Sequence, residues 1–287
     1  MGLTLNPNSP GRSDQNALFL ATACDLAYLP QDQAQPEFAA QLGLKASLIS
    51  VDNTQCYVCE NDAVIVLAFR GSEIPNSIDG FKDWLLTNAK NFLVLPSGKI
   101  GTDFVAAGVG ARFHRGFMEA LDEIWEPLFK ATDAVVAQKE RPLFITGHSL
   151  GGALAMLAAW RLQRQMISIH NVYTFGAPMV GNEAAAKAFE KEFPNRIYRY
   201  VDSGDMVPNL PTVSMFSNEY WHCLSEVVVG ATSQPAAKIQ ALAASSSEAS
   251  MSQAVMDGIW TQATSGIQKH LMGNYLAQIN SLSGKSV

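Results

Sequence analysis

The apolar positions of this chain change period several times, and each change predicts an element. From Ala63 to Phe69 they run without a polar break, so Ala63–Arg70 is expected to be a central strand covered on both faces. Thr54–Glu60 also reads as a strand. Over His114–Lys139 the spacing turns helical, through Phe117, Leu121, Ile124, Trp125 and Leu128. Leu143–Thr146 is the next expected strand, Leu150–Arg164 a helix, and Asn171–Phe175 and Arg196–Val201 further strands around a helix over Glu183–Glu192. Near the start, Ala17–Leu29 reads as part of an amphipathic helix capped near Ser13 and stopped by Pro30. Strands alternating with helices predict an α/β fold: one doubly wound, mostly parallel central sheet, right-handed crossovers and helices on both faces.

Two stretches break the rhythm. Ser72–Phe113 is long and rich in Gly and Asn, with an amphipathic patch over Ile78–Leu86. Gly230–Ser250 is biased toward Ala and Ser, as an inserted linker or weakly packed helix would be. The chain has no internal repeat and no clear boundary, so residues 1–287 read as a single domain.

Composition narrows the function classes. At 48% hydrophobic and 16% charged residues, the chain can build a sizeable core. A net charge of −6 gives no basic footprint for nucleic acid and no polybasic membrane patch. No apolar run approaches transmembrane length. The stretch Ala17–Leu29 is no signal peptide, because Asp14 lies beside it and Asp25 inside it. Secretion through a removed leader or a leaderless route, and a cytoplasmic home, both stay open. The four cysteines are Cys24, Cys56, Cys59 and Cys223. Cys56 and Cys59 form a CxxC, but in a strand they would point to opposite faces, so half-buried structural thiols are expected rather than a metal site. Disulfides remain open.

The chemistry centres on Gly147-His148-Ser149-Leu150-Gly151. A GxSxG match alone arises by chance in about one chain in ten of this length. Here an apolar strand leads in and a small-residue helix leads out, the context a nucleophile elbow needs. The alternative is a plain serine cap, which has no need of glycine on both sides. In the elbow the serine sits in a strained turn, Gly147 and Gly151 remove side chains that would clash, and the N–H of Leu150 can face a developing oxyanion. Serine needs a base and an orienting carboxylate later in the chain. His170, His222 and His270 follow Ser149; His170 abuts a strand start, and His222 lies in the aromatic run Tyr220-Trp221-His222 as a structural histidine would. His270, near the C-terminus, is the expected base. Asp202 and Asp205 both follow a strand, and either could be the acid or a turn residue.

The same residues resemble the class 3, fungal-type triacylglycerol lipases. The likeness runs over Val66-Leu67-Ala68-Phe69-Arg70-Gly71-Ser72, His114-Arg115-Gly116-Phe117, Thr146–Ala153, and Asp205-Met206-Val207-Pro208 with Leu210-Pro211. This resemblance implies an α/β-hydrolase fold and a Ser149–Asp205–His270 triad, with Tyr275 four positions after Leu271 in the family's C-terminal motif. It implies Ser72 as a second oxyanion donor beside Leu150. It also implies a lid directly after the oxyanion loop, over Glu73–Asn88, with Ile74, Ile78, Phe81, Trp84, Leu85 and Leu86 forming its apolar, acyl-binding face; an ordinary surface helix is the alternative. The expected substrate is a lipid ester at an oil–water interface, with no cofactor or metal. Soluble or plant-wall esters such as feruloyl esters are the nearest rival, and a non-catalytic binding protein on the same fold is a remote one.

Overall fold

The computed structural model describes residues 2–9, 11–72, 93–96, 101–205, 207–209, 220–223, 225–230 and 267–284. The expected lid (73–88) and most of the Ala/Ser-rich insertion (231–250) lie outside them.

Ser13 caps the first helix, α1 (Asp14–Leu26), by accepting from the Asn16 N–H. Then follow α2 (Gln31–Leu42), β1 (Lys45–Val51), β2 (Thr54–Glu60), β3 (Ile65–Phe69), and the short β4 (Leu93–Val94) and β5 (Phe113–His114). After α3 (Arg115–Gln138) come β6 (Leu143–His148), α4 (Leu150–Arg164), β7 (Asn171–Phe175) and β8 (Gly181–Asn182). The chain continues through α5 (Glu183–Glu192), β9 (Ile197–Asp202), β10 (Tyr220–Trp221), β11 (Ser225–Val229), α6 (Ile267–His270) and α7 (Met272–Ser283).

The strands β1-β2-β3-β6-β7-β9-β11 form a seven-stranded sheet in that order. From β3 to β11 the pairings are parallel; β1 and β2 add antiparallel pairs at one edge. Every residue of β3, β6, β7 and β9 is buried, as parallel strands under two helical layers must be. Alternate side chains feed two cores. Ile65, Leu67, Phe69, Ile145 and Val172 pack with residues of α3, α4 and α5 on one face. Val66, Ala68, Phe144, Tyr173 and Phe175 pack with α1, α2 and α7 on the other. Cys56 belongs to the first core and Cys59 to the second, so the CxxC does not converge on one site. All four thiols are free and fully buried rather than half-buried. Burial holds Cys56 and Cys59 protonated by raising both pKa values.

The helical stripe of α3 buries Phe117, Leu121, Ile124 and Leu128, as its spacing requires. Trp125 is partly buried; the Arg161 guanidinium lies 4.0 Å from its ring centroid. Arg161 also donates to Asp103 Oδ2 and Asp122 Oδ1, both at 3.1 Å. The neighbouring Trp160 indole donates to the Asp103 carbonyl at 2.9 Å. This clamp ties the segment beginning at residue 101 to α4.

Three features depart from the sequence reading. A second sheet, β10-β8-β5-β4, is built from two-residue strands, too short to show any period. Helix α2 buries only Ala34, Phe38 and Leu42, a stripe too narrow to stand out among polar neighbours. Edge strand β1 buries Ala46 alone. Among the described residues no helix is long and apolar enough to cross a membrane.

Candidate active site

At the carboxyl end of β6 the chain turns sharply into α4, and Ser149 occupies the turn at φ 56°, ψ −130°. That is unfavourable backbone for a residue with a Cβ, costing on the order of 1–3 kcal/mol, and the surrounding packing must hold it. The Ser149 N–H donates to the Phe175 carbonyl at 2.9 Å, tying the turn to β7. The flanking glycines are sterically required. A Cβ on Gly147 would strike the Gly151 backbone, and one on Gly151 would strike the Phe69 carbonyl at the end of β3. Leu150 opens α4, so its N–H is among the first-turn donors that lack an intrahelical acceptor. Ser72 lies three residues beyond β3, the strand that pairs with β6 next to the elbow.

Ser149 is completely buried, and His270 is 1% exposed. His270 Nε2 lies 2.9 Å from Ser149 Oγ, and its Nδ1 lies 2.7 Å from Asp205 Oδ2. Since a carboxylate only accepts, Nδ1 carries the proton and Nε2 is free to accept from the serine hydroxyl. Asp205 is 1% exposed, so its charge must be met by donors. The Val207 N–H supplies one to Oδ1 at 2.9 Å, and the Tyr275 hydroxyl another to Oδ2 at 2.7 Å. Tyr275 in turn accepts from the Asp202 N–H at 3.0 Å. Burial, then the adjacent Asp205 charge, push the Tyr275 pKa well above its ordinary value, so it stays a donor.

The second aspartate is used differently. Asp202 Oδ1 accepts from the Gly204 N–H at 2.8 Å and Oδ2 from Asn274 Nδ2 at 2.9 Å, so its carboxylate closes a turn and braces α7. The other histidines stand apart. His170 precedes β7, with its N–H donating to the Leu143 carbonyl at the amino end of the sheet. His222 Nε2 contacts the Pro208 carbonyl at 2.5 Å. His148, inside the elbow, joins the site from behind. Its Nε2 lies 2.7 Å from the His270 carbonyl oxygen, and its Nδ1 lies 2.8 Å from the Tyr28 hydroxyl. No sequence motif pointed to Tyr28. The expected acyl-binding residues Ile74, Ile78, Phe81, Trp84, Leu85 and Leu86 lie outside the described residues.

A parallel sheet between two helical layers, with a strained serine turn at the carboxyl end of a central strand, defines an α/β-hydrolase fold. Residues 66–215 match the model of the family described as Lipase (class 3), and the chain belongs to that family. It is similar to secreted mono- and diacylglycerol lipase 1 of Fusarium solani, 35% identical over 175 residues, 58% of this chain and 46% of that protein. It is 31% identical over 181 residues to secreted mono- and diacylglycerol lipase A of Penicillium camembertii, 61% of this chain and 51% of that protein. Its matches thus span about half the length of these curated relatives. A solved structure of a mutant of MDLA from Penicillium cyclopium superposes with a TM-score of 0.61 at 25% identity, covering 79% of this chain and 83% of that one. Tyr28, His270 and Tyr275 all lie outside the range matched by the family model.

Proposed function

We propose that the chain is a serine hydrolase that cleaves carboxylic esters of lipids, most simply acylglycerols. One observation carries this reading: an unbroken line of hydrogen bonds from Ser149 Oγ through His270 to Asp205, buried at the mouth of the elbow. In this mechanism His270 Nε2 takes the serine proton as Oγ attacks the ester carbonyl. Asp205 holds the imidazole in the useful tautomer and stabilises the imidazolium. The N–H groups of Leu150 and Ser72 receive the oxyanion, and loss of one such donor lowers turnover by on the order of a hundred-fold or more. His270 then protonates the leaving alcohol, and water, activated by the same imidazole, clears the acyl-enzyme.

The class of substrate is supported by membership of the class 3 lipase family and by the likeness to mono- and diacylglycerol lipases. A fluorophosphonate probe should label Ser149 stoichiometrically, and Ser149→Ala should abolish both labelling and ester hydrolysis while the protein stays folded. Activity on glycerol esters of increasing chain length, below and above their solubility, tests the lipid assignment. Preference for soluble aromatic esters such as feruloyl esters would overturn it, and absence of labelling would overturn the hydrolase reading altogether.

A further inference from the structure

Behind the elbow, a second line of hydrogen bonds runs through residues to which the reaction above gives no part. His148 is 2% exposed, and its two ring nitrogens each have one partner. The partner of Nε2 is a backbone carbonyl, that of His270, which can only accept. Nε2 therefore carries the proton. A neutral ring then has an acceptor at Nδ1, so the Tyr28 hydroxyl, 2.8 Å away, must donate to it. The ring stays neutral in the folded protein: burial first, and the neighbouring His270 second, lower its pKa well below the ordinary histidine value. Tyr28 keeps its proton for the same first reason, burial of its hydroxyl.

On its other side the phenol oxygen packs against the Gly71 backbone. The approach is so close that a Cβ on Gly71 would fall on the Tyr28 hydroxyl and 2.6 Å from the His148 carbonyl oxygen. The polarity of the line is fixed at both links. Tyr28 O–H donates to His148 Nδ1, and His148 Nε2–H to the His270 carbonyl. With the tight Gly71 contact it joins three segments far apart in sequence: the end of the β3 loop beside Ser72, the elbow itself, and the backbone that carries His270.

We propose that Tyr28 and His148 are positioning residues that hold the oxyanion segment at Gly71–Ser72 and the backbone of His270 in one frame around Ser149. The proposal rests on the hydrolase reading and adds to it two groups that touch no reacting atom. Their effect reaches the chemistry through distance and angle, where small displacements of a base or an oxyanion donor lower turnover more than binding.

The test uses the full chain and a short nitrophenyl ester, with kcat expressed per site titrated by a fluorophosphonate, so that loss of folded protein does not enter the rate. Tyr28→Phe removes one oxygen and leaves the buried His148 Nδ1 without its donor; kcat should fall by about tenfold with KM nearly unchanged. His148→Leu should lower kcat by roughly a hundred-fold, and His148→Gln, whose amide can donate to the His270 carbonyl and accept from Tyr28, should recover most of that loss. Nitrogen-15 NMR of the unmutated protein should find the His148 imidazole neutral, with its proton on Nε2, throughout pH 5–8. The proposal is overturned by a Tyr28→Phe kcat per site equal to wild type, by His148→Gln performing no better than His148→Leu, or by a His148 ring that titrates or carries its proton on Nδ1. An unmutated chain that neither labels nor hydrolyses esters would remove the hydrolase reading first, and this proposal with it.

Discussion

The serine and its histidine sit on segments built in opposite ways. Ser149 is placed by covalent geometry: β6 ends, the chain turns through φ 56°, and α4 begins, with glycines at the two positions where any side chain would collide. His270 ends a four-residue helix and is placed by side-chain contacts from elsewhere. Asp205 holds Nδ1, Ser149 meets Nε2, and His148 holds the carbonyl. The position of Ser149 is thus stored in backbone strain and packing, and that of His270 in a small network of directional bonds. Substitution on the first segment should act in an all-or-none way. Around the second, losses should be graded by the hydrogen bond removed.

The sharpest separation sets two histidines against each other. His270→Ala should lower kcat by on the order of a million-fold, the scale at which a triad stops working as a unit. His222→Gln should leave kcat per titrated site near wild type, because the His222 ring contacts the Pro208 carbonyl and not the triad. If the two outcomes were exchanged, the base would have to be reassigned to β10 and its vicinity. Asp205→Asn comes next: an amide can present the wrong hydrogen-bonding face to Nδ1, and a loss of on the order of ten-thousand-fold is expected. Asp202→Asn should retain far more activity, since Asp202 accepts from Gly204 and Asn274. Steady-state rates on one soluble ester separate all four variants.

The same contrast explains what the sequence could and could not reveal. The elbow is legible because its causes lie within a few residues: an apolar strand, Gly147, Gly151 and a run of small helical residues. The buried parallel strands are legible because both faces are apolar, so β7 and α4 fall at the expected bounds. Nothing local separates Asp205 from Asp202, which lie three residues apart at the carboxyl end of β9; the difference lies in which partners reach them, from α6 and α7. Tyr28 leaves no signature at all, since its partner His148 is 120 positions away. The four-stranded second sheet is equally silent, for two-residue strands are fixed by what packs around them.

A smaller effect tests the grading itself. Tyr275 shares Asp205 Oδ2 with His270 and takes the Asp202 N–H on its own oxygen. Tyr275→Phe leaves that buried carboxylate one donor short while Val207 and His270 remain. Because the lost bond goes to a charged group, it is worth about 1.5–3 kcal/mol, of which a part appears in stability and the rest as a fall in kcat of roughly tenfold. Thermal unfolding and kcat per titrated site, measured together, divide the two. A fall as large as that of Asp205→Asn would mean that the carboxylate, once short of one donor, leaves the imidazole entirely, and the graded picture would fail.

The smallest effect is on stability alone and comes from the histidine outside the triad. Burial first, then the positive charge of Arg199, push the His222 pKa down to about 3, against the hydrogen bond to Pro208 that acts to raise it. In the unfolded chain the ring titrates near the ordinary histidine value, about 6.5. Between these two values the unfolded chain binds a proton that the native ring refuses. The stability contributed by the neutral ring is therefore complete above about pH 6.5 and is lost as the pH falls toward 3. The slope for one such group is at most about 1.4 kcal/mol per pH unit. His222→Gln should thus be less stable than wild type at pH 8, through loss of the Pro208 contact, but should lose less stability on acidification, so that the gap narrows steadily toward pH 4. His148, which is buried and neutral, remains in both proteins and gives the acid-side slope they share. Urea midpoints at a series of pH values measure this directly. Parallel curves for the two proteins would show that His222 takes up its proton as readily in the fold as out of it, and the distinction between a base held for chemistry and a histidine held for structure would lose its second support.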